Sequence, residues 1–139
     1  MRTPLNDKEL AWQAWEEMQR TPCWGISPLV RIAIHEAQNW RCCYCGVVMW
    51  AGEPFECLGA YMKAHGLRDT EAAKRRRATA EHIRRRIDGG SDLPENLAGA
   101  CLWCNTTRHD MPAEDWFWKV RGLIEAGFHP HGVRLIGRL

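Results

Sequence analysis

The sequence predicts a small α+β fold assembled around a metal, and three observations lead there. Two C-x-x-C pairs, Cys42-Cys43-Tyr44-Cys45 and Cys101-Leu102-Trp103-Cys104, offer four thiols at the spacing of a tetrahedral zinc site. Two stretches, 79–87 and 97–100, have extended character, with Gly89-Gly90-Ser91-Asp92 as a turn after the first. Segments with helical periodicity flank both. At 139 residues the chain amounts to a single domain with a modest core.

The elements follow in order. Asn6 and Glu9 make a capping-box pattern, and Ala11, Ala14, Trp15 and Met18 share one helical face before Thr21-Pro22 ends it. A second helix opens at Ser27-Pro28, with Leu29, Ile32, Ala33 and Trp40 on its apolar side; His35 on it is expected to pack rather than ligate. Residues 1–40 therefore form a helical extension. Arg41 to Met49 reads as a metal knuckle running into a short strand, Val47-Val48-Met49. Residues 51–66, punctuated by Gly52, Pro54, Gly59 and Gly66, show no sustained period and read as loop with at most one helical turn. Residues 69–78 suit a short helix capped by Asp69 or Thr70. An insertion near 51–78 thus separates the first knuckle from the strands.

Residues 79–87 suit a strand with His82, Arg84 and Arg86 on one face and Ile83 and Ile87 on the other. Leu97 to Ala100 returns as the second strand. From Cys101 the spacing turns helical, with Cys101, Cys104, Asn105 and Arg108 on one stripe. Pro112 opens a last helix containing Trp116, Val120, Leu123 and Ile124 and stopped by Gly127. The core is expected at 41–109, with a C-terminal helix and tail over 110–139. The tail from Phe128 carries no pattern.

Charge is uneven beneath a formal net charge of +2. Residues 63–86 hold nine Lys/Arg against three Asp/Glu, and residues 87–115 hold six acids against one Arg. A basic block beside an acidic one favours a polyanion held near a cation-collecting site. No apolar run approaches the roughly 20 residues needed to span a bilayer, and the acidic N-terminal stretch does not resemble a secretory signal. A cytoplasmic protein without membrane contact is the expectation. Seven cysteines, an odd number, fit reduced thiols and metal binding better than a disulfide framework. Cys42 or Cys43 can serve as the first ligand, and the C-x-x-C spacing to Cys45 favours Cys42. Cys23 and Cys57 read as incidental thiols, and Trp103 as cover for the metal.

The most informative residues are Ala80-Glu81-His82-Ile83-Arg84-Arg85-Arg86-Ile87-Asp88-Gly89-Gly90, then Asn96-Leu97, then Cys101-Leu102-Trp103-Cys104-Asn105-Thr106-Thr107-Arg108. In this order they resemble the HNH endonuclease family: an acidic residue plus His, a Gly-Gly turn, Asn-Leu, and C-x-x-C-Asn followed by a basic residue. With Cys42 and Cys45 the resemblance spans about residues 41–109. It implies a ββα-metal fold, two strands and a helix gripping a catalytic divalent cation, splinted by structural Zn²⁺ on Cys42, Cys45, Cys101 and Cys104. Carried over by position, His82 matches the general base. Glu81 and Asn105 match the ligands of the catalytic cation, and Asn96 matches the asparagine that fixes the loop and orients the base. Arg108 matches a basic residue near phosphate. Small stand-alone members occur in phages and bacteria.

The residue types suit hydrolysis of a DNA phosphodiester. Neutral imidazole can take a proton from water near pH 7. A carboxylate and an amide oxygen make an open, oxygen-only site for Mg²⁺ or Mn²⁺, whereas thiolates select zinc. Arg75, Arg76, Arg77, Arg84, Arg86 and Arg108 are the candidate DNA contacts. His109, one turn past Asn105, is a further residue to watch. The chain departs from the family's usual Asp at Glu81. Neighbours on a regular strand face opposite ways, so Glu81 and His82 can serve one site only where the strand is irregular or ends. Two rivals stand beside an HNH nuclease: a catalytically silent, zinc-dependent DNA-binding module, and a treble-clef protein-interaction adaptor using Trp116 and Trp118. Monomer and homodimer are both compatible with the sequence.

Overall fold

A computed structural model describes residues 26–51 and 57–134. The expected first helix, from Asn6 to its close at Thr21-Pro22, and Cys23 lie outside these residues. Helix α1 spans Pro28–Ala37, with Ser27 as N-cap accepting from the Leu29 N–H and proline in the first turn. Its His35 is buried, as a packing residue should be, with Nδ1 2.7 Å from the Arg31 carbonyl and its ring 5.1 Å from that of Trp40.

The first knuckle closes through Gly46 N–H to the Cys42 carbonyl and Cys42 N–H to the Val47 carbonyl. The strand expected at Val47–Met49 is reduced to isolated bridges, Arg41 with Val48 and Trp50 with Arg77. The loop expected at 51–66 instead contains a helix, α2, Leu58–Ala64. Tertiary packing explains this: Tyr61 is buried at 1% exposure and its hydroxyl donates to the Val48 carbonyl, which anchors a segment whose glycines argue against helix. Helix α3, Thr70–Lys74, is capped by Asp69 and is shorter than the expected 69–78. The carbonyls of Arg75 and Arg77 just beyond it accept from Trp103 and Leu102, pinning the insertion to the helix that carries the second knuckle.

Strands β1, Ala78–His82, and β2, Leu97–Cys101, pair antiparallel, with His82 opposite Leu97 and Ala78 opposite Cys101. Helix α4, Leu102–Arg108, follows β2 without a gap, and helix α5 is Ala113–Glu125. Among the described residues this is a small α+β fold of five helices and one two-stranded sheet, consistent with a ββα-metal unit. Helix α1 backs the sheet at Gly99, where Gln38 donates to the Gly99 carbonyl and accepts its N–H. The core is continuous with the metal-type cysteines: Cys42, Cys45, Cys101 and Cys104 are buried with Tyr44, Val47, Met49, Ala100, Trp116, Val120 and Ile124.

The expected strand over 79–87 stops at His82, so the alternation predicted for Ile83 to Ile87 does not occur. Asn96 causes the ending. Its carbonyl accepts the Ile83 N–H, its side-chain oxygen accepts the Arg84 N–H, and its amide donates to the Arg84 and Ser91 carbonyls. The chain then turns through Arg86–Asp88 and Gly89, at φ +85°. Gly90 is fixed by close approach, since a Cβ there would lie 1.8 Å from the Arg84 carbonyl oxygen.

Candidate active site and metal centre

The metal centre follows from the two knuckles. The sulfurs of Cys42, Cys45, Cys101 and Cys104 all lie within 4.8 Å of one another and all four residues are buried. Cys45 and Cys101 sulfurs are 3.9 Å apart. Tetrahedral zinc with Zn–S bonds of about 2.3 Å would separate its sulfurs by roughly 3.8 Å, so the donor set fits. The cluster takes Cys42, as the spacing favours, and not Cys43. Backbone N–H groups of Tyr44 and Cys45 point at the Cys42 sulfur, and that of Cys104 at Cys101.

Electrostatics makes a cation necessary if all four thiols are to ionise. Cys45 is drawn down to about 6, first by donation from Cys101 and then from Cys104. Cys104 is pushed up, chiefly because its thiol donates to Cys101 and to Cys42. Thiols crowded this closely ionise one at another's expense, and a dication removes that competition.

The tail supplies cover that no pattern in its residues announces. His129 and His131 are buried, with Nε2 atoms 3.6 Å from the Cys104 sulfur and 3.4 Å from the Cys101 sulfur. Trp103 lies against both, its ring 4.7 Å from that of His129, and 6.0 Å from Trp116. The one signal in the sequence is the two-residue spacing of the histidines, which a single C-terminal turn can aim at one target. Cys57 is exposed and caps α2, apart from the cluster.

The second site is built at the end of β1. Thr79 and Glu81 project toward α4, and His82, the last residue of the strand, projects away from them. Asn105 donates from Nδ2 to the Thr79 hydroxyl at 2.9 Å, and that hydroxyl donates to the Ala100 carbonyl at 2.7 Å. Glu81 is 5% exposed; its Oε1 accepts from Arg108 at 2.8 Å, and its Oε2 is buried with no partner among the described residues. Burial pushes this carboxyl up to about 7, against the pull of the Arg108 guanidinium. A buried, unpartnered carboxylate oxygen on the face it shares with Asn105 is the kind of donor a hard cation uses.

His82 is partly buried, with Nε2 2.7 Å from Asp92 Oδ1, and Arg86 Nε donates to the same oxygen at 2.9 Å. Those two contacts hold the Asp92 carboxyl below the usual carboxylate range, Arg86 more than His82. Among the described residues, His82 Nδ1 has no protein partner. In the sequence Asp92 is legible only as part of a turn; a carboxylate two residues past Gly-Gly, facing a histidine across the hairpin, is the sign it offers.

The six arginines expected on DNA divide sharply. Arg108 is a correction: it is 4% exposed, and its guanidinium donates to Glu81, to the His82 and Ile83 carbonyls at 2.7 Å each and, through Nε, to the Met111 carbonyl. These bonds engage Nε, Nη1 and Nη2, so the guanidinium is committed to the strand end and the turn after α4. Arg76 is half-buried and donates to the His131 carbonyl, and Arg86 is engaged by Asp92. Arg75, Arg77 and Arg84 are exposed, with Arg77 lying 5.9 Å from the Trp50 ring centre. His109 is exposed at the end of α4, 3.6 Å from the Asp110 carboxylate. Trp116 belongs to the core, whereas Trp118 is 64% exposed.

No helix among the described residues is long and apolar enough to cross a membrane. No curated protein matches this sequence. Residues 68–111 do match a family model, described as HNH endonuclease; the match takes in β1, the Asn96 turn, β2, α4 and the second cysteine pair, and leaves Cys42 and Cys45 outside it. The sheet, the turn and the helix that hold Glu81, His82, Asn96 and Asn105 therefore lie within the segment that is similar to the HNH endonuclease family.

Proposed function

We propose that the protein is a metal-dependent endonuclease that hydrolyses DNA phosphodiester bonds, with structural Zn²⁺ on Cys42, Cys45, Cys101 and Cys104. The observation that carries this reading is the Asn96 brace. In the family-matched segment, the Asn96 side chain and backbone bond Ile83, Arg84 and Ser91 just past His82, the last residue of β1. In this reading His82 accepts a proton from the attacking water through Nδ1, and the water oxygen bonds to phosphorus as the P–O bond to the leaving sugar oxygen breaks. Glu81 Oε2 and Asn105 would hold Mg²⁺ or Mn²⁺, which supplies charge stabilisation at the phosphoryl and leaving oxygens. Asn105 is oriented for this by its bond to Thr79. Arg75, Arg77 and Arg84 supply exposed positive charge for the DNA backbone. The cytoplasm, where thiols stay reduced, is the setting proposed for it.

One observation favours a second reading. Arg108 already neutralises Glu81, and a chain that never releases that carboxylate to a cation would be a zinc-stabilised DNA-binding module without cleavage. Plasmid nicking by zinc-loaded protein, with Mg²⁺, Mn²⁺ or chelator, separates the two. Nicking that requires the divalent ion supports the nuclease, and DNA binding without nicking under any metal supports the module.

A further inference from the structure

We infer that Asp92 is a positioning residue for His82: its carboxylate fixes the imidazole with the proton on Nε2 and so leaves Nδ1 as the basic atom. This inference rests on the nuclease reading for its consequence, though the hydrogen bond itself stands independently.

The placement begins with the hairpin. The Asn96 bonds draw the backbone at Arg84 and Ser91 together, and Gly90 permits the close crossing at the Arg84 carbonyl. That crossing brings Asp92, ten positions along the chain, to 2.7 Å from His82 Nε2. An ionised carboxylate only accepts, so a hydrogen bond at this distance requires the histidine to donate. In the neutral imidazole one nitrogen carries the proton and the other the lone pair. Donation from Nε2 therefore assigns the lone pair to Nδ1. A base whose tautomer is already set does not lose rate to the fraction of molecules protonated on the wrong nitrogen.

Asp92 is itself held. Arg86 Nε donates to the same oxygen, so the carboxylate cannot rotate away from His82 without leaving a guanidinium partly unsatisfied. The side chains of His82, Asp92 and Arg86 are 19%, 33% and 33% exposed, enough shielding for the contact to persist and enough opening for water to reach the imidazole. Asn96 and Asp92 divide the work. The asparagine sets where the backbone ends the strand, and the aspartate sets how the ring is turned.

The test combines kinetics with a spectroscopic signature. Zinc-loaded wild type, Asp92→Ala and Asp92→Asn are compared for plasmid nicking with Mn²⁺. Their histidine side chains are compared by ¹⁵N-resolved NMR at one pH where His82 is neutral, without divalent ion. The wild type should show the His82 proton on Nε2, protected from exchange. Asp92→Ala should lose that protection and lower kcat by about tenfold to a hundredfold, with KM for DNA and zinc content unchanged. Asp92→Asn keeps a neutral acceptor of the same shape. It should retain the Nε2 proton and an intermediate kcat, and it serves as the decisive variant if Asp92→Ala does not fold. A His82 proton on Nδ1 in the wild type would overturn the inference, as would wild-type kcat in a folded Asp92→Ala. So would a rise in KM as the main effect. If the wild type does not nick DNA at all, the nuclease reading fails, and the NMR arm alone then decides whether Asp92 positions the ring.

Discussion

Replacing Arg108 by Met should damage the fold and leave DNA binding alone, the reverse of what a phosphate-binding arginine would do. Arg108 joins α4 to the end of β1 through a buried bond to Glu81 Oε1 at 2.8 Å and part-buried bonds to two backbone carbonyls at 2.7 Å. Met fills similar volume but strands the Glu81 carboxylate and unpairs the carbonyls. Breaking a buried ion pair from one side costs about 3–5 kcal/mol. That is a large share of the roughly 5–15 kcal/mol that holds a domain together, and corresponds to about 10–15 °C in Tm for a chain of this size. Adding Glu81→Gln should recover part of the loss, because the orphaned charge is removed, with a coupling of about 2 kcal/mol or more. The assay is urea unfolding of zinc-loaded single and double variants, beside the salt dependence of DNA binding in the folded fraction. Unfolding at the wild-type midpoint, with the log–log salt slope reduced by about 0.9, would refute the structural role and restore Arg108 to the DNA surface.

Three further outcomes are expected. His129→Ala should weaken zinc retention about 10- to 100-fold in a competition with a chelator, because it uncovers the Cys104 sulfur; unchanged zinc affinity would mean the tail only packs. Glu81 has a folded-state pKa of about 7 against an ordinary 4.5, so its contribution is fully present below about pH 4.5 and is lost as pH rises through about 7. Without divalent cation, wild type should therefore lose on the order of 3 kcal/mol relative to Glu81→Gln across that window, and parallel stability curves would contradict it. Arg75→Gln with Arg77→Gln should flatten the salt dependence of DNA binding by about 0.9 for each phosphate that is no longer neutralised, equally for all sequences, whereas an unchanged slope would mark these side chains as a solvated face.

Legibility in the sequence tracks how local each constraint is. The helix at Pro28–Ala37 is readable from Ser27-Pro28, and the metal cluster from two C-x-x-C pairs, because a cap and a knuckle are each set within a few residues. Asn96 stands out in the sequence by its place in the family pattern, and in the structure its side chain bonds Arg84 and Ser91 across the turn. What escapes depends on contacts between distant residues. The helix at Leu58–Ala64 is held by Tyr61 reaching Val48, and the strand ends at His82 because Asn96 intervenes from the far side of the hairpin. Arg108 reads as a DNA-facing residue because a helix stripe shows which residues share a face and not which face is covered. His129 and His131 escape because nothing near them in the chain points to sulfur; the tail meets the knuckle through distant residues, Trp103 against both rings and Arg76 donating to the His131 carbonyl.

The central claim, that the end of β1 carries a catalytic base and not a structural histidine, is tested most directly by His82→Ala at matched zinc content. Wild type and variant are compared for Mn²⁺-dependent nicking of supercoiled DNA, with zinc, Tm and DNA affinity measured on the same preparations. The expected result is a loss of about 10² to 10⁴ in rate with zinc and affinity unchanged, since among the described residues the His82 side chain bonds only to Asp92, at the rim of the hairpin. Nicking by the variant at the wild-type rate, or its unfolding with loss of zinc, would contradict it.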